Sequence, residues 1–122
     1  MRIAADGTVT LANAGHLPPY LNGMPLEIEG SLPLGILDQL DCSHQVFRMA
    51  ENDCLLVLSD GVAEATDVRG NLFGFDRVLE LARTHPSAAQ IADTAQSFGQ
   101  EDDISVISIT RIAVAKLALA RG

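Results

Sequence analysis

Apolar and polar positions alternate with a period of two at the start of the chain, shift to a helical spacing after residue 75, and alternate again near residue 104. Residues 2–5 and 8–12 read as short strands around Asp6-Gly7, a pair that tolerates positive φ and favours a tight hairpin. Asn13-Ala14-Gly15-His16 leaves the strand, and Pro18-Pro19 keeps the backbone extended or turning. Tyr20-Leu21 and residues 24–28 flank Asn22-Gly23, a second hairpin signal. LPLGILD, at 32–38, reads as a loop with apolar anchors, because its proline and glycine oppose regular structure. CSHQVFRM, at 42–49, suggests a strand with His44, Val46 and Arg48 on one face and Ser43, Gln45 and Phe47 on the other. After the polar turn Glu51-Asn52-Asp53, CLLVLS is a short apolar run of the kind found in fully buried strands.

The period then lengthens. Asp76 is placed to cap a helix carrying Val78, Leu79 and Ala82, with Arg83 suiting its carboxyl end. Phe73 and Phe75 are expected to anchor the loop beneath that helix. Pro86 marks a boundary, Ser87 is placed to cap a second helix through Ala88, Ile91, Ala92 and Ala95, and Gly99 ends it. The acidic stretch GQEDD leads into ISVISIT, a strand by its alternation and β-branched content. Residues 112–122 form an Ala/Leu-rich tail whose composition suits a helix without requiring one. Strands, then two helices, then a returning strand predict an α+β fold. Its sheet is mostly antiparallel, with the two helices between the later strands.

Composition narrows the function classes. A chain of 122 residues supports one domain with a modest core, and 48% apolar with 20% charged residues favours packing over disorder. Aromatics are only 4% and Trp is absent, so the core is built from Leu, Ile, Val and Ala. Sixteen acidic against eight basic residues give a net charge of −8, which opposes nonspecific binding to nucleic acid or anionic membrane. No stretch approaches the roughly 20 apolar residues of a membrane-spanning helix. The opening MRIAADGTVT lacks a signal-peptide core, so a cytoplasmic protein is expected. Cys42 and Cys54 form no CxxC and have no histidine pattern around them, which favours free thiols over zinc ligands.

Candidate chemistry lies at two acidic corners. Asp60 follows the apolar run at 55–58, and Asp102-Asp103 precedes ISVISI. Antiparallel pairing of these strands would bring both corners to one rim. Carboxylates brought together repel unless a cation neutralises them, and Mg²⁺ or Mn²⁺ suits oxygen ligands. Asp-Gly also serves an ordinary turn, and acidic residues at strand ends commonly meet only water. Spacing alone leaves both readings open. Ser59 has no evident Ser–His–Asp set around it, and no dense calcium-binding loop is present.

The motifs NAGHLPPYL (13–21), LPLGI (32–36), LLVLSDGVAEATD (55–67), GNLFGFDRV (70–78) and QEDDISVISI (100–109) stand in an informative order. In that order the chain resembles bacterial serine/threonine phosphatases of the SpoIIE/RsbU type, within the metal-dependent PP2C-like group. The resemblance spans about residues 2–111. It implies that residues 1–111 are the C-terminal part of such a domain, within a PP2C-like α/β-β/α sandwich, with 112–122 as a tail. It further implies two Mn²⁺ or Mg²⁺ ions and a metal-activated water that attacks a phosphoserine or phosphothreonine protein, an anti-sigma-factor antagonist being one candidate partner. Carried onto this chain, Asp60 and Asp102 are metal ligands, Asp103 supports the site, and Gly61 lets the backbone turn away beside the metal. Asn13 and His16 lie in a family motif with no assigned catalytic step: they are either site neighbours or, as a Gly/Pro-rich turn favours, structural, whereas His44, His85 and Glu64 are expected at the surface. The family carries further acidic ligands upstream of NAGH, and Asp6-Gly7 lies too close to that motif to supply them. The expectation is therefore an incomplete domain that binds Mn²⁺ weakly and hydrolyses poorly. The alternative is a catalytically weak or inactive interaction or oligomerisation module in bacterial signalling, self-associating through uncovered sheet surface.

Overall fold

The computed structural model describes residues 1–13, 16–27, 44–100 and 102–113. Its elements are β1 (Arg2–Ile3), β2 (Thr8–Ala12), β3 (Tyr20–Leu21), β4 (Met24–Pro25), β5 (His44–Arg48), β6 (Cys54–Leu58), α1 (Asp60–Ala63), α2 (Gly74–Arg83), α3 (Ala88–Gly99) and β7 (Val106–Thr110). The fold is α+β, with two antiparallel sheets and the longer helices between the later strands, as the sequence predicts. The chain divides into two compact units, Met1–His16 with Ile28–Cys54 and Thr110–Gly122, and Leu17–Glu27 with Leu55–Ile109. The 32–38 loop, residues 42–43 and the tail from residue 114 lie outside the described residues.

The first unit is built on the sheet β1-β2-β5. The Gly7 N–H donates to the Ala4 carbonyl (3.0 Å) and the Ala4 N–H to the Thr8 carbonyl (2.9 Å), so Ala5 and Asp6 are the central turn residues. Gly7, at φ +89°, takes the left-handed position beside the strand instead of sharing the turn centre with Asp6. The Thr8 N–H donates to Asp6 Oδ1 (2.9 Å), and this bond holds the Asp6 carboxyl below its ordinary value. On β2, Val9 and Leu11 are buried, and Val9 faces Phe47 of β5. Phe47 is half-buried while His44, Val46 and Arg48 are exposed, but Gln45, expected on the face of Phe47, is exposed as well, so the alternation holds only at Phe47. Arg111 ties the strand ends together. Its guanidinium donates to the Met49 carbonyl (2.5 Å). Its N–H donates to the Asp53 carbonyl (3.0 Å), and its own carbonyl accepts the Asn52 N–H (2.6 Å).

The second unit carries the sheet β4-β3-β6-β7 and the helices α1, α2 and α3. Asn22 (φ +50°) and Gly23 (φ +81°) are the two left-handed residues that a tight β3–β4 hairpin requires. In β6, Leu55, Leu56 and Leu58 are buried, as a strand covered on both faces should be. Leu56 and Leu58 pack with Tyr20, Val62, Val78 and Ala82, and with Ile91 and Ala95 of α3, in one apolar cluster. The Ser87 cap of α3 is present as a capping box: Ser87 Oγ accepts the Gln90 N–H (3.1 Å) and Gln90 Oε1 accepts the Ser87 N–H (2.8 Å).

Two expectations change here. Helix α2 starts at Gly74, two residues before Asp76, with Phe73 at the N-cap and no side-chain cap. Asp76 instead lies in the first turn, where its charge suits the helix dipole. Phe73 is buried and packs edge-on against Phe98 (5.3 Å between centroids), whereas Phe75 is 58% exposed. Phe73 alone therefore anchors the loop, with Arg77 stacked over Phe98 at 4.7 Å.

Asp67 shapes the preceding loop. Its Oδ1 accepts the N–H groups of Arg69 and Asn71 (both 2.9 Å), and its Oδ2 accepts Asn71 Nδ2–H (3.1 Å). The Asn71 backbone bond is the main reason its carboxyl lies below the ordinary value of 3.8. A depressed folded-state value means this carboxylate stabilises the fold fully above about pH 3.8 and progressively less as pH falls through the lower value. Asp67→Asn, which cannot ionise, should make the acid limb of the urea midpoint against pH shallower; an unchanged limb would uncouple this turn from folding. Ile91→Ala, at a site 1% exposed, should cost about 2–5 kcal/mol in urea unfolding. A loss well under that range would show that the α3 contact with the core is loose.

Candidate metal centre

The acidic corners meet because β6 and β7 are neighbours. Ser59 bonds to Ser105 and Asp53 bonds to Arg111, so residue numbers fall along one strand as they rise along the other. This is the antiparallel pairing that the two-corner reading needs. It places the end of β6 beside the start of the ISVISIT segment.

The local geometry starts at Ser59, whose backbone is extended (φ −78°, ψ 161°). Its N–H donates to the Ser105 carbonyl at 2.9 Å. In a regular antiparallel pair the Ser105 N–H would return to the Ser59 carbonyl. It donates to Ser59 Oγ instead (2.9 Å), while the Ser59 carbonyl faces the Val62 N–H at 3.3 Å as α1 begins. The Ser59 hydroxyl also donates to the Asp103 carbonyl (3.4 Å). One side chain thus ends a strand ladder so that its own backbone can open a helix.

Asp60 is exposed and is the first residue of α1, where negative charge is favourable. Asp60-Gly61 is therefore not a turn. Gly61 is buried within the helix, outside the positive-φ glycines, so backbone freedom is not its purpose. A Cβ at Gly61 would overlap the Asp103 carbonyl oxygen. The glycine is required by close approach, which corrects the expectation that it bends the chain away. Asp102 and Asp103 are both exposed, and Asp102 Oδ1 accepts the Asp103 N–H (2.7 Å).

Asn13 and His16 belong to the first unit. Asn13 is 7% exposed, and its side chain pairs with the His16 backbone: Nδ2–H donates to the His16 carbonyl and Oδ1 accepts the His16 N–H, both at 2.8 Å. The amide therefore holds the His16 main chain while the His16 side chain is exposed. His44, His85 and Glu64 are exposed, as expected. Sequence reasoning missed α1 and the cross-strand work of Ser59. A serine before Asp-Gly-Val-Ala is an N-cap signal, but four residues are too few for helical periodicity to register.

The donor chemistry can be tested against the expected ions. Exposed aspartate oxygens suit a hard cation, and Mg²⁺ is commonly held by one or two carboxylates plus water and phosphate. Among the described residues no group of three or more His, Cys, Asp or Glu side chains is arranged to hold a metal. Asp60 and Asp102 carry oxygen donors of the type a hard cation takes, and by themselves they do not close a two-metal centre.

The family model described as Stage II sporulation protein E (SpoIIE) matches residues 3–112. No curated protein matches the sequence. Among solved structures, the chain is similar to the RsbU and RsbW domains of Rv1364c from Mycobacterium tuberculosis, with 21% identity and a TM-score of 0.68 over 89% of this chain and 34% of that one. It is also similar to the SiaA-PP2C domain of Pseudomonas aeruginosa, with 22% identity and a TM-score of 0.67 over 86% and 47% of the two chains. The phosphatase domain of the cell fate determinant SpoIIE from Bacillus subtilis, presoaked with Mn, aligns at 17% identity with a TM-score of 0.60, over 91% and 54%. At these identities the likeness is one of fold. The chain spans between 34% and 54% of the length of these solved chains.

Gly61→Ala should force the Asp103 carbonyl away and cost about 1–3 kcal/mol in urea unfolding. The displacement should appear as chemical-shift changes at Asp103, Ile104 and Ser105. A variant as stable as the parent, with those shifts unmoved, would contradict the close approach.

Proposed function

The chain belongs to the SpoIIE family and has a PP2C-like fold, and on that premise we propose that it is the C-terminal part of a metal-dependent protein serine/threonine phosphatase domain that supplies one side of the metal centre. The observation that carries this reading is the convergence of Asp60-Gly61 with Asp102-Asp103 across the β6–β7 pair. Asp60 and Asp102 are the groups that would hold Mn²⁺ or Mg²⁺. A bound ion of this kind lowers the pKa of water and offsets charge on phosphoryl oxygens. The chain's own contribution is to hold two carboxylates at one corner. Asp103 supports it through its backbone carbonyl and Gly61 by leaving room for that carbonyl. In the first unit, Asn13 holds the His16 main chain and leaves its side chain exposed.

A specific observation favours the second reading for the chain acting alone. The described residues lack a three-ligand group, and the solved relatives extend well beyond the part this chain matches. By itself the chain is then a catalytically weak or inactive interaction module in a bacterial signalling pathway. Exposed Val46 on β5 (63%) and Ile107 on β7 (55%) offer apolar surface for self-association or partner binding. The partner class is a phosphoserine or phosphothreonine protein, for which an anti-sigma-factor antagonist is the candidate. No helix among the described residues is long and apolar enough to cross a membrane, and a cytoplasmic location is part of this reading.

Calorimetry with Mn²⁺ and a phosphoserine-peptide hydrolysis assay test the proposal on the 122-residue chain. Weak Mn²⁺ binding that is lost in Asp60→Asn and in Asp102→Asn is expected, together with little turnover. Efficient Mn²⁺-dependent turnover by the chain alone would contradict it.

A further inference from the structure

We propose that Ser59 is the positioning residue of the acidic corner: its side chain sets where Asp102-Asp103 stands relative to Asp60, and it takes no part as a nucleophile. The inference rests on the reading of Asp60 and Asp102 as metal ligands and deepens it. Ser59 precedes Asp60 directly, so any tie from its side chain to the opposite segment fixes the two corners together. Two such ties exist. Oγ accepts the Ser105 N–H at 2.9 Å, and the hydroxyl hydrogen points to the Asp103 carbonyl at 3.4 Å. A third bond, from the Ser59 N–H to the Ser105 carbonyl at 2.9 Å, fixes the register from the backbone side.

The hydroxyl does what the backbone cannot do here. The Ser59 carbonyl faces Val62 to begin α1, so the Ser105 N–H has no backbone acceptor across the pair. An apolar residue at 59 would leave that N–H to water and release the Asp103 carbonyl. That carbonyl is the same atom that excludes a side chain at Gly61. Ser59 and Gly61 therefore grip one carbonyl from two sides, one by attraction and one by leaving space. With one lone pair and its proton engaged in this way, the hydroxyl works as a clamp.

The test uses the 122-residue chain, Mn²⁺ alone as the probe, and the variants Ser59→Ala, Ser59→Thr and Asp60→Asn. Metal-free hydrogen exchange at the Ser105 amide should quicken roughly 3- to 10-fold in Ser59→Ala, the loss expected for one hydrogen bond, and return in Ser59→Thr. Protection at Leu56 and Ile91 should stay as in the parent. Paramagnetic broadening of the 60–63 and 102–105 amides should require about 10-fold more Mn²⁺ in Ser59→Ala, and close to the parent amount in Ser59→Thr. If Ser59→Ala fails to fold, Ser59→Cys replaces it, because a thiol is a poor acceptor. Parent-like Mn²⁺ broadening in Ser59→Ala, alongside a weakened response in Asp60→Asn, would overturn the positioning role and leave the ligand reading standing. Identical responses from the parent and Asp60→Asn would overturn the ligand reading, and the positioning role with it.

Discussion

The antiparallel pairing of β6 with β7 is the constraint on which the acidic corner depends. Leu55, Leu56 and Leu58 give β6 its position by burying it, and the pairing then decides what lies beside its carboxyl end. The backbone bonds of Ser59 with Ser105 and of Arg111 with Asp53 determine the register. Because it is determined, residues more than forty apart in sequence meet at fixed atoms: Ser59 at Ser105, and Gly61 at the Asp103 carbonyl. The apolar core thus specifies the placement of groups that are themselves exposed and polar.

The chemistry that results is partial, and the partiality has structural content. Two exposed carboxylates give charge and hard oxygen donors, while the described residues bring no third ligand to them. Chelation of two divalent ions needs more donors than that. The family relationship and the shared fold place the corner in a known kind of scaffold, and the donor count is what the proposal of weak action alone rests on. In the first unit, Asn13 does comparable work on a smaller scale. A buried amide satisfies both backbone groups of His16, so the histidine is held by its main chain and its ring is left exposed.

Much of this was legible in the residues, for physical reasons that differ from place to place. Strand β6 and the Ser87 cap were readable because burial on both faces and capping boxes leave local signatures. The Asn22-Gly23 hairpin was readable because few residue pairs adopt two left-handed conformations in succession. The start of α2 was displaced by two residues because Phe73, through its packing on Phe98, sets the helix entry where a side-chain cap was expected. Asp60-Gly61 misled in its local form. Glycine after aspartate signals a turn, yet here it answers to a carbonyl forty-two positions away, which no local pattern encodes. The likeness of ordered motifs carried the metal reading further than any single spacing did.

The central claim is that the β6–β7 pairing makes Asp60 and Asp102 two ligands of one hard-cation site. A crystal structure of the chain soaked with Mn²⁺ tests it most directly, because anomalous scattering locates the ion independently of any assumption about ligands. The account predicts an anomalous peak within coordination distance of both carboxylates, with water filling the remaining positions. Mn²⁺ bound elsewhere, with the Asp60 and Asp102 carboxylates turned apart, would contradict it.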